Sequence, residues 1–366
     1  MTVPLPGLLS TSRHGVSGEI ESSYILIEKG LKKMTPLPEL VQALLDPKTY
    51  ADPPQKVELM QTQMSFISLA GDYVYKVKKP VNLGYLDYTS LAKRRLYCQR
   101  EVELNRRLCP DAYLGVVPIV KSGECFYLGG QGEAIEYAVK MRHLPREAMM
   151  DVLLAKDKIT LPMLTKVAGK LAEFHRKAET SADISAFGDL DTILQNTGEN
   201  FSQTEQYIGR TASREKYERI KAYTDRFIEE NAVLFHKRID EGRIRDCHGD
   251  LHAAHICFYN DICIYDCIEF NDRFRYCDVA SEVAFLAMDL DHYGRNDLSD
   301  SFVNDYVNLS QDEELEALLN FYKCYRAYVR GKVEGFKLDD PHISPEEKAK
   351  ILTVARDYFM LAESYV

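Results

Sequence analysis

The stretch Asp246-Cys247-His248-Gly249-Asp250-Leu251-His252-Ala253-Ala254-His255 concentrates carboxylates and imidazoles, and two more carboxylates, Asp266 and Glu269, follow shortly after it. Between them lie two short apolar runs, Ile256 to Tyr259 and Ile262 onward, separated by Asn260-Asp261. This pattern predicts a β-hairpin, which brings acidic groups distant in sequence to one end of a site. The matching chemistry is metal-dependent group transfer. A loop carboxylate such as Asp250 takes a proton from an incoming hydroxyl, while Asp266 and Glu269 offer the oxygen ligands that Mg²⁺ prefers. His248 is suited to orienting the loop, and Lys76 to holding a phosphate as a point charge. For His248 and His252 the plainer reading is loop packing and capping.

Such residues need elements to hold them. From Val57 the pattern is β: 57–62, 64–70 and, after Gly71-Asp72, 73–79, stopped by Pro80. Side chains alternate along a strand, so Lys76 and Lys78 share one face of the third. They read either as ordinary edge lysines or as one lysine reaching inward to phosphate. Residues 88–108 read as a helix with Thr89 or Ser90 as N-cap. Glu101 borders its apolar stripe and requires a cationic partner if buried, whereas Glu103 points toward solvent. Further strands are expected at 116–120, 124–128 and 135–141. The turn Gly129-Gly130-Gln131-Gly132 lacks both the dinucleotide fingerprint and the Lys-Ser/Thr of a P-loop. At Arg142-His143-Leu144-Pro145 the strands stop and the chain becomes mainly helical. The expected division is an N-terminal extension over 1–35, a lobe over 36–141 and a second lobe over 142–366.

Composition narrows the class. The chain has 366 residues, 46 Lys and Arg against 56 Asp and Glu, and a net charge of -10. That balance argues against non-specific binding to nucleic acid or an anionic membrane. No apolar run approaches roughly 18 residues, and the first residues lack a signal-peptide pattern, so a cytoplasmic protein is expected. Nine cysteines scattered through apolar segments read as buried thiols. Cys257, Cys263, Cys267 and Cys277 have poor spacing for zinc.

His248-Gly249-Asp250-Leu251-His252 resembles the catalytic loop of aminoglycoside phosphotransferase-like and choline-kinase-like small-molecule kinases, within the wider protein-kinase-like fold. More closely, the chain resembles an uncharacterised bacterial subfamily of those phosphotransferases. The residues carrying this are Val74-Tyr75-Lys76-Val77-Lys78-Lys79-Pro80, Leu86-Asp87-Tyr88-Thr89, Glu103-Leu104-Asn105-Arg106-Arg107-Leu108, Tyr113-Leu114-Gly115-Val116-Val117-Pro118, Ile268-Glu269-Phe270-Asn271 and Arg275-Tyr276-Cys277-Asp278-Val279-Ala280. The match spans roughly residues 36 to 335. It implies an α+β, bilobal fold with a small β-rich N-lobe and a larger mainly helical C-lobe.

The resemblance also implies roles. Asp250 matches the catalytic aspartate, with His248 beside it, and Lys76 matches the third-strand lysine that contacts nucleotide phosphates. Glu101 is its expected helix partner, with Lys78 and Glu103 as register alternatives. Asp266 matches the metal aspartate, with Glu269 assisting or replacing it. Residues 135–144, including Met141 and His143, correspond to the connection between lobes that holds adenine. The chain departs in two places. His255 stands where the wider fold has a metal-binding Asn, and imidazole suits hard Mg²⁺ less than an amide oxygen does. Gln61-Thr62-Gln63-Met64-Ser65 replaces the glycine-rich nucleotide loop. Some subfamily members carry an added C-terminal P-loop domain, and no Walker motif occurs here.

The expected function is therefore transfer of phosphate from ATP, with Mg²⁺, to a hydroxyl of a small molecule by a monomer or homodimer. The alternative is a catalytically weak, nucleotide-binding pseudokinase that regulates a protein partner. Protein kinase activity is disfavoured, since no activation segment follows Asp266.

Overall fold

The computed structural model describes residues 25–26, 38–341 and 343–366. The expected N-terminal extension falls outside these residues apart from β1 (Ile25–Leu26). Next come α1 (Glu39–Ala43), β2 (Val57–Gln61), β3 (Ser65–Ala70), β4 (Tyr73–Lys78), α2 (Leu91–Asn105), β5 (Tyr113–Ser122), β6 (Cys125–Leu128) and β7 (Ala134–Arg142). The strands form one antiparallel sheet in the order β1-β2-β3-β4-β7-β5-β6.

Alternation along β4 sorts its side chains. Tyr75 and Val77 join the apolar core under α1, with Val41, Leu44 and Tyr50. Lys76 and Lys78 point to the opposite face, where α2 lies. Ser90 caps α2 by accepting the Lys93 amide. The buried stripe of α2 is more polar than the sequence pattern implies, with Arg94, Cys98, Glu101, Val102 and Asn105 inward. Each charge has a partner: Arg94 Nε lies 2.8 Å from Glu136 Oε2 of β7.

The second part comprises α3 (Met150–Ala155), α4 (Leu161–Lys177), α5 (Ala182–Ser185), α6 (Leu190–Thr204), α7 (Arg214–Glu230), α8 (Ala232–Asp240), β8 (Ile244–Asp246), β9 (Ile256–Tyr259), β10 (Asp261–Ile264), α9 (Asp272–Arg275), β11 (Tyr276–Asp278), α10 (Val279–His292), α11 (Asn296–Ser310), α12 (Leu315–Lys337) and α13 (Pro345–Ser364). Its centre is α10, buried all along from Val279 to Asp291. A helix apolar on most sides must be enclosed, and its residues share a core with those of α4, α11 and α12.

Two strand pairs frame the polar loop. β8 pairs with β11 before it, and β9 with β10 after it. The second pair is the expected hairpin, with Asn260 at φ +58° in its turn.

The cysteines need a correction. Cys109, just beyond α2, and Cys263, in β10, form a disulfide with Cα atoms 4.7 Å apart, and seven cysteines stay free. Among the free ones, Cys125 is exposed and Cys277 half-buried. Two thiols 154 residues apart in sequence give no local sign that the fold will bring them together.

Candidate active site

Backbone amides of the loop are held by carboxylates beneath it. Glu282 of α10 accepts from the amides of His248, at 2.9 Å, and Gly249, at 2.6 Å. Its other partner is His175 Nε2 of α4, 2.9 Å away. Burial works to raise the Glu282 carboxyl, but the hydrogen bond and charge of His175 bring it down to about 2. Asp289, two turns further along α10, accepts the Ala253 amide at 2.8 Å. Gly249 sits at φ +87°, and a Cβ there would lie 2.8 Å from the Phe274 carbonyl oxygen. Only glycine fits that position.

The loop is also tied to α2. Arg107, just past its end, donates to the Asp246 and Cys247 carbonyls at 2.9 and 2.8 Å, and Asp246 is further held by Arg275. Asn105 accepts the Cys267 amide at 2.8 Å, and the Tyr113 hydroxyl accepts that of Asp266 at 3.1 Å. Asp266 itself has φ +64°, a strained conformation in which Asp is tolerated better than most residues.

His248 is fully buried. Its Nδ1 accepts the Asp250 amide at 3.3 Å, which leaves the proton on Nε2 to donate to the Tyr265 carbonyl at 2.9 Å. Burial lowers its pKa, so the ring is neutral. Both ring nitrogens of His248 are thus engaged by backbone groups.

Asp250 keeps about a third of its side chain exposed. Burial pushes its carboxyl up, but His252, His255 and Arg330 together hold it well below the usual carboxylate range. His255 stands between the two key acids: Nδ1 donates to the Asp250 carbonyl at 2.9 Å, and Nε2 lies 3.6 Å from Asp266 Oδ2. Burial and the neighbouring His252 lower its pKa to about 4. With the ring proton on Nδ1, its Nε2 presents a lone pair on the side of Asp266.

Across the cleft, Lys76 Nζ lies 2.7 Å from Asp266 Oδ1 and 3.0 Å from Glu101 Oε1. Lys78 Nζ lies 2.7 Å from Glu101 Oε2 and also contacts Glu269 Oε1. Both lysine positions are therefore used, and Glu103 is exposed on the outer face of α2. Burial alone would neutralise the lysines, but Asp266 and Glu101 hold Lys76 charged, and Glu101 and Glu269 hold Lys78 charged.

Two expected site residues have other partners here. Glu269 is buried against Lys78 and accepts the Tyr88 hydroxyl at 2.6 Å, so its carboxylate belongs to the ion network. His143 is exposed, and its amide already donates to the Asp72 carbonyl at 2.8 Å, leaving that group unavailable to a base. Met141 is buried within β7, in register with Val74 on one side and Tyr113 on the other. Tyr88, Asn105, Arg107 and Tyr113 lie within the motifs that carry the resemblance, but their partners, like those of Asp289, are remote in sequence and appear only in the fold.

No family model matches the chain. Uncharacterised proteins of Mycobacterium tuberculosis (strain ATCC 25618 / H37Rv) and Mycobacterium bovis (strain ATCC BAA-935 / AF2122/97) are each 34% identical over 282 residues, 76% of this chain and 54% of the relative. The chain thus spans about half the length of the curated relatives it matches. Among solved structures, an amicoumacin kinase in complex with AMP-PNP, Ca²⁺ and amicoumacin is similar at TM-score 0.50 and 12% identity, over 88% of this chain and 92% of that one. The chain has the bilobal protein-kinase-like fold. A spectinomycin phosphotransferase in complex with ADP and spectinomycin is similar at TM-score 0.46 and 13% identity, over 90% of this chain and all of that one. In this kinase-like fold β4 and α2 supply Lys76, Lys78 and Glu101, and the loop and hairpin supply Asp250, His255 and Asp266. No helix among the described residues is long and apolar enough to cross a membrane.

Proposed function

We propose that the chain is an ATP-dependent phosphotransferase acting on a hydroxyl group of a small molecule. Residues 36–141 form the nucleotide lobe and 142–366 the catalytic and acceptor lobe. The observation that carries this reading is the meeting of Lys76 with Asp266 and Glu101 on one side of the cleft, and of Asp250 with Asp266 through His255 on the other.

Lys76 exchanges Asp266 for the phosphates of the nucleotide, as a charged point donor. Asp250 accepts the proton of the acceptor hydroxyl as its oxygen bonds to the γ-phosphorus, and the bond from that phosphorus to ADP breaks. The ionised state of Asp250 suits this step, and His248 and Glu282 hold its backbone in place. Asp266, whose side chain is partly exposed, would hold a divalent ion through its carboxylate, with phosphate and water oxygens completing the shell. Mg²⁺ bound there supplies charge neutralisation on the phosphates.

A regulatory pseudokinase is the less supported reading. Asp250 is partly open to solvent, and α7 packs through Tyr217 and Ile220 in one apolar cluster with Phe201, Tyr328 and Phe359. ATP consumption across a panel of hydroxylated metabolites, with Asp250→Asn as control, tests the assignment. Nucleotide binding without turnover for every acceptor and metal would overturn it.

A further inference from the structure

His252 takes no part in the transfer described above, yet it completes a three-donor group with Asp250 and His255. Asp250 Oδ2 lies 3.7 Å from His252 Nε2 and 3.6 Å from His255 Nδ1. The two imidazole rings are 4.0 Å apart, and one donor atom from each of the three residues falls within 4.8 Å of the others. Both histidines are largely buried. The backbone between them is fixed, since the Ala253 amide is bound by Asp289 and the His255 amide donates to the His252 carbonyl at 2.9 Å.

Zinc bonds to imidazole and carboxylate run about 2.0–2.2 Å, which places tetrahedral ligand atoms about 3.3 Å apart. The Asp250 oxygen needs to approach each imidazole nitrogen by a few tenths of an ångström, and the two nitrogens, within 4.8 Å of each other, must close to the same separation by turning about their side-chain torsions. Two imidazoles and one carboxylate, with a fourth position left to water, are a donor set for zinc and its borderline neighbours. Mg²⁺ and Ca²⁺ require a fuller shell of oxygens. We propose that Asp250, His252 and His255 form a second cation site, selective for a borderline divalent ion such as Zn²⁺ and distinct from the position at Asp266.

The two positions compete for one imidazole. With Nδ1 of His255 bonded to the ion, its hydrogen bond to the Asp250 carbonyl is given up and the ring proton moves through solvent to Nε2. There it faces Asp266 Oδ2, 3.6 Å away, which accepts it, and the Nε2 donor beside Asp266 is closed. The ion also occupies the oxygen that takes the acceptor proton, so zinc inhibits transfer. That consequence rests on the proposed function, whereas binding does not.

Metal-free protein without nucleotide is titrated with Co²⁺ as a visible stand-in for Zn²⁺. The expected result is one equivalent with ligand-field absorption, no thiolate-to-cobalt charge transfer, and displacement by Zn²⁺. His252→Gln and Asp250→Asn should each weaken uptake by more than about tenfold, the least that losing even an outer partner costs a metal site, while Asp266→Asn retains it. Circular dichroism checks the fold of each variant, and if one fails to fold the other decides. The proposal is overturned by absent uptake, by a thiolate band, by uptake unchanged in His252→Gln, or by uptake lost in Asp266→Asn. Zinc binding at the three residues without turnover of any acceptor would count against the phosphotransferase reading and leave this site standing.

Discussion

Lys76 Nζ lies 2.7 Å from Asp266 Oδ1, joining β4 to the segment after the hairpin across 190 residues of sequence. Beside it Lys78 binds the other oxygen of Glu101, and the Glu269 and Tyr88 side chains complete the group. Lys76 can therefore leave for a phosphate while Lys78 keeps α2 in place. The two lysines, only two residues apart on one face of a strand, therefore have different surroundings, Lys76 at the partly open Asp266 and Lys78 wholly within the buried network.

Lys76→Met should lower kcat by about 10²- to 10³-fold, as loss of a preorganised charge at a transferring group does, and raise KM for ATP. Steady-state kinetics with a responsive acceptor checks this, and the thermal midpoint should fall less than in the Lys78 variant, because Lys78 still pairs with Glu101.

Lys78→Met has the opposite profile. It leaves Glu101 and Glu269 buried without their shared cation, and breaking a buried pair in this way costs about 3–5 kcal/mol. Urea unfolding measures the loss. Adding Glu269→Gln to Lys78→Met should recover more than about 0.5 kcal/mol, because residues in one ion network are not additive.

Asp250→Asn should reduce kcat by about 10²- to 10⁴-fold through loss of the base, with nucleotide affinity nearly unchanged. Calorimetric titration of a non-hydrolysable ATP analogue checks the second half.

Glu282 makes stability depend on acid. Its carboxyl is held at about 2 in the fold against an ordinary 4.5, so the unfolded chain binds the proton first as pH falls. The contribution, about 3 kcal/mol at this shift, is complete above pH 4.5 and lost progressively down to about pH 2. Thermal midpoints against pH should fall across that window, and in Glu282→Gln the fall should flatten from a lower plateau.

Cys109→Ser should destabilise the oxidised protein by about 2–4 kcal/mol in urea, by relaxing the unfolded chain. A reducing agent should bring the wild type down to the same midpoint. A persistent gap under reduction would assign the effect to packing of the thiol.

Much of this protein was determined by local chemistry in the sequence. Alternation placed Lys76 and Lys78 on one face, helical spacing turned Glu101 inward and Glu103 outward, and the turn at Asn260 with its flanking apolar runs made the hairpin. Those signals are legible because side-chain periodicity and turn conformation act over a few residues. The division of Lys76 from Lys78, the withdrawal of Glu269 to Lys78 and Tyr88, the Cys109–Cys263 bond and the anchoring of the loop by Glu282 and Asp289 were decided by tertiary structure. Each joins groups far apart in the chain, and a buried charge takes whichever partner the packed fold brings within reach, a choice that no local pattern records. His255 belongs to both levels. Its type is plain in the sequence, but only the fold turns one ring nitrogen to Asp250 and the other to Asp266.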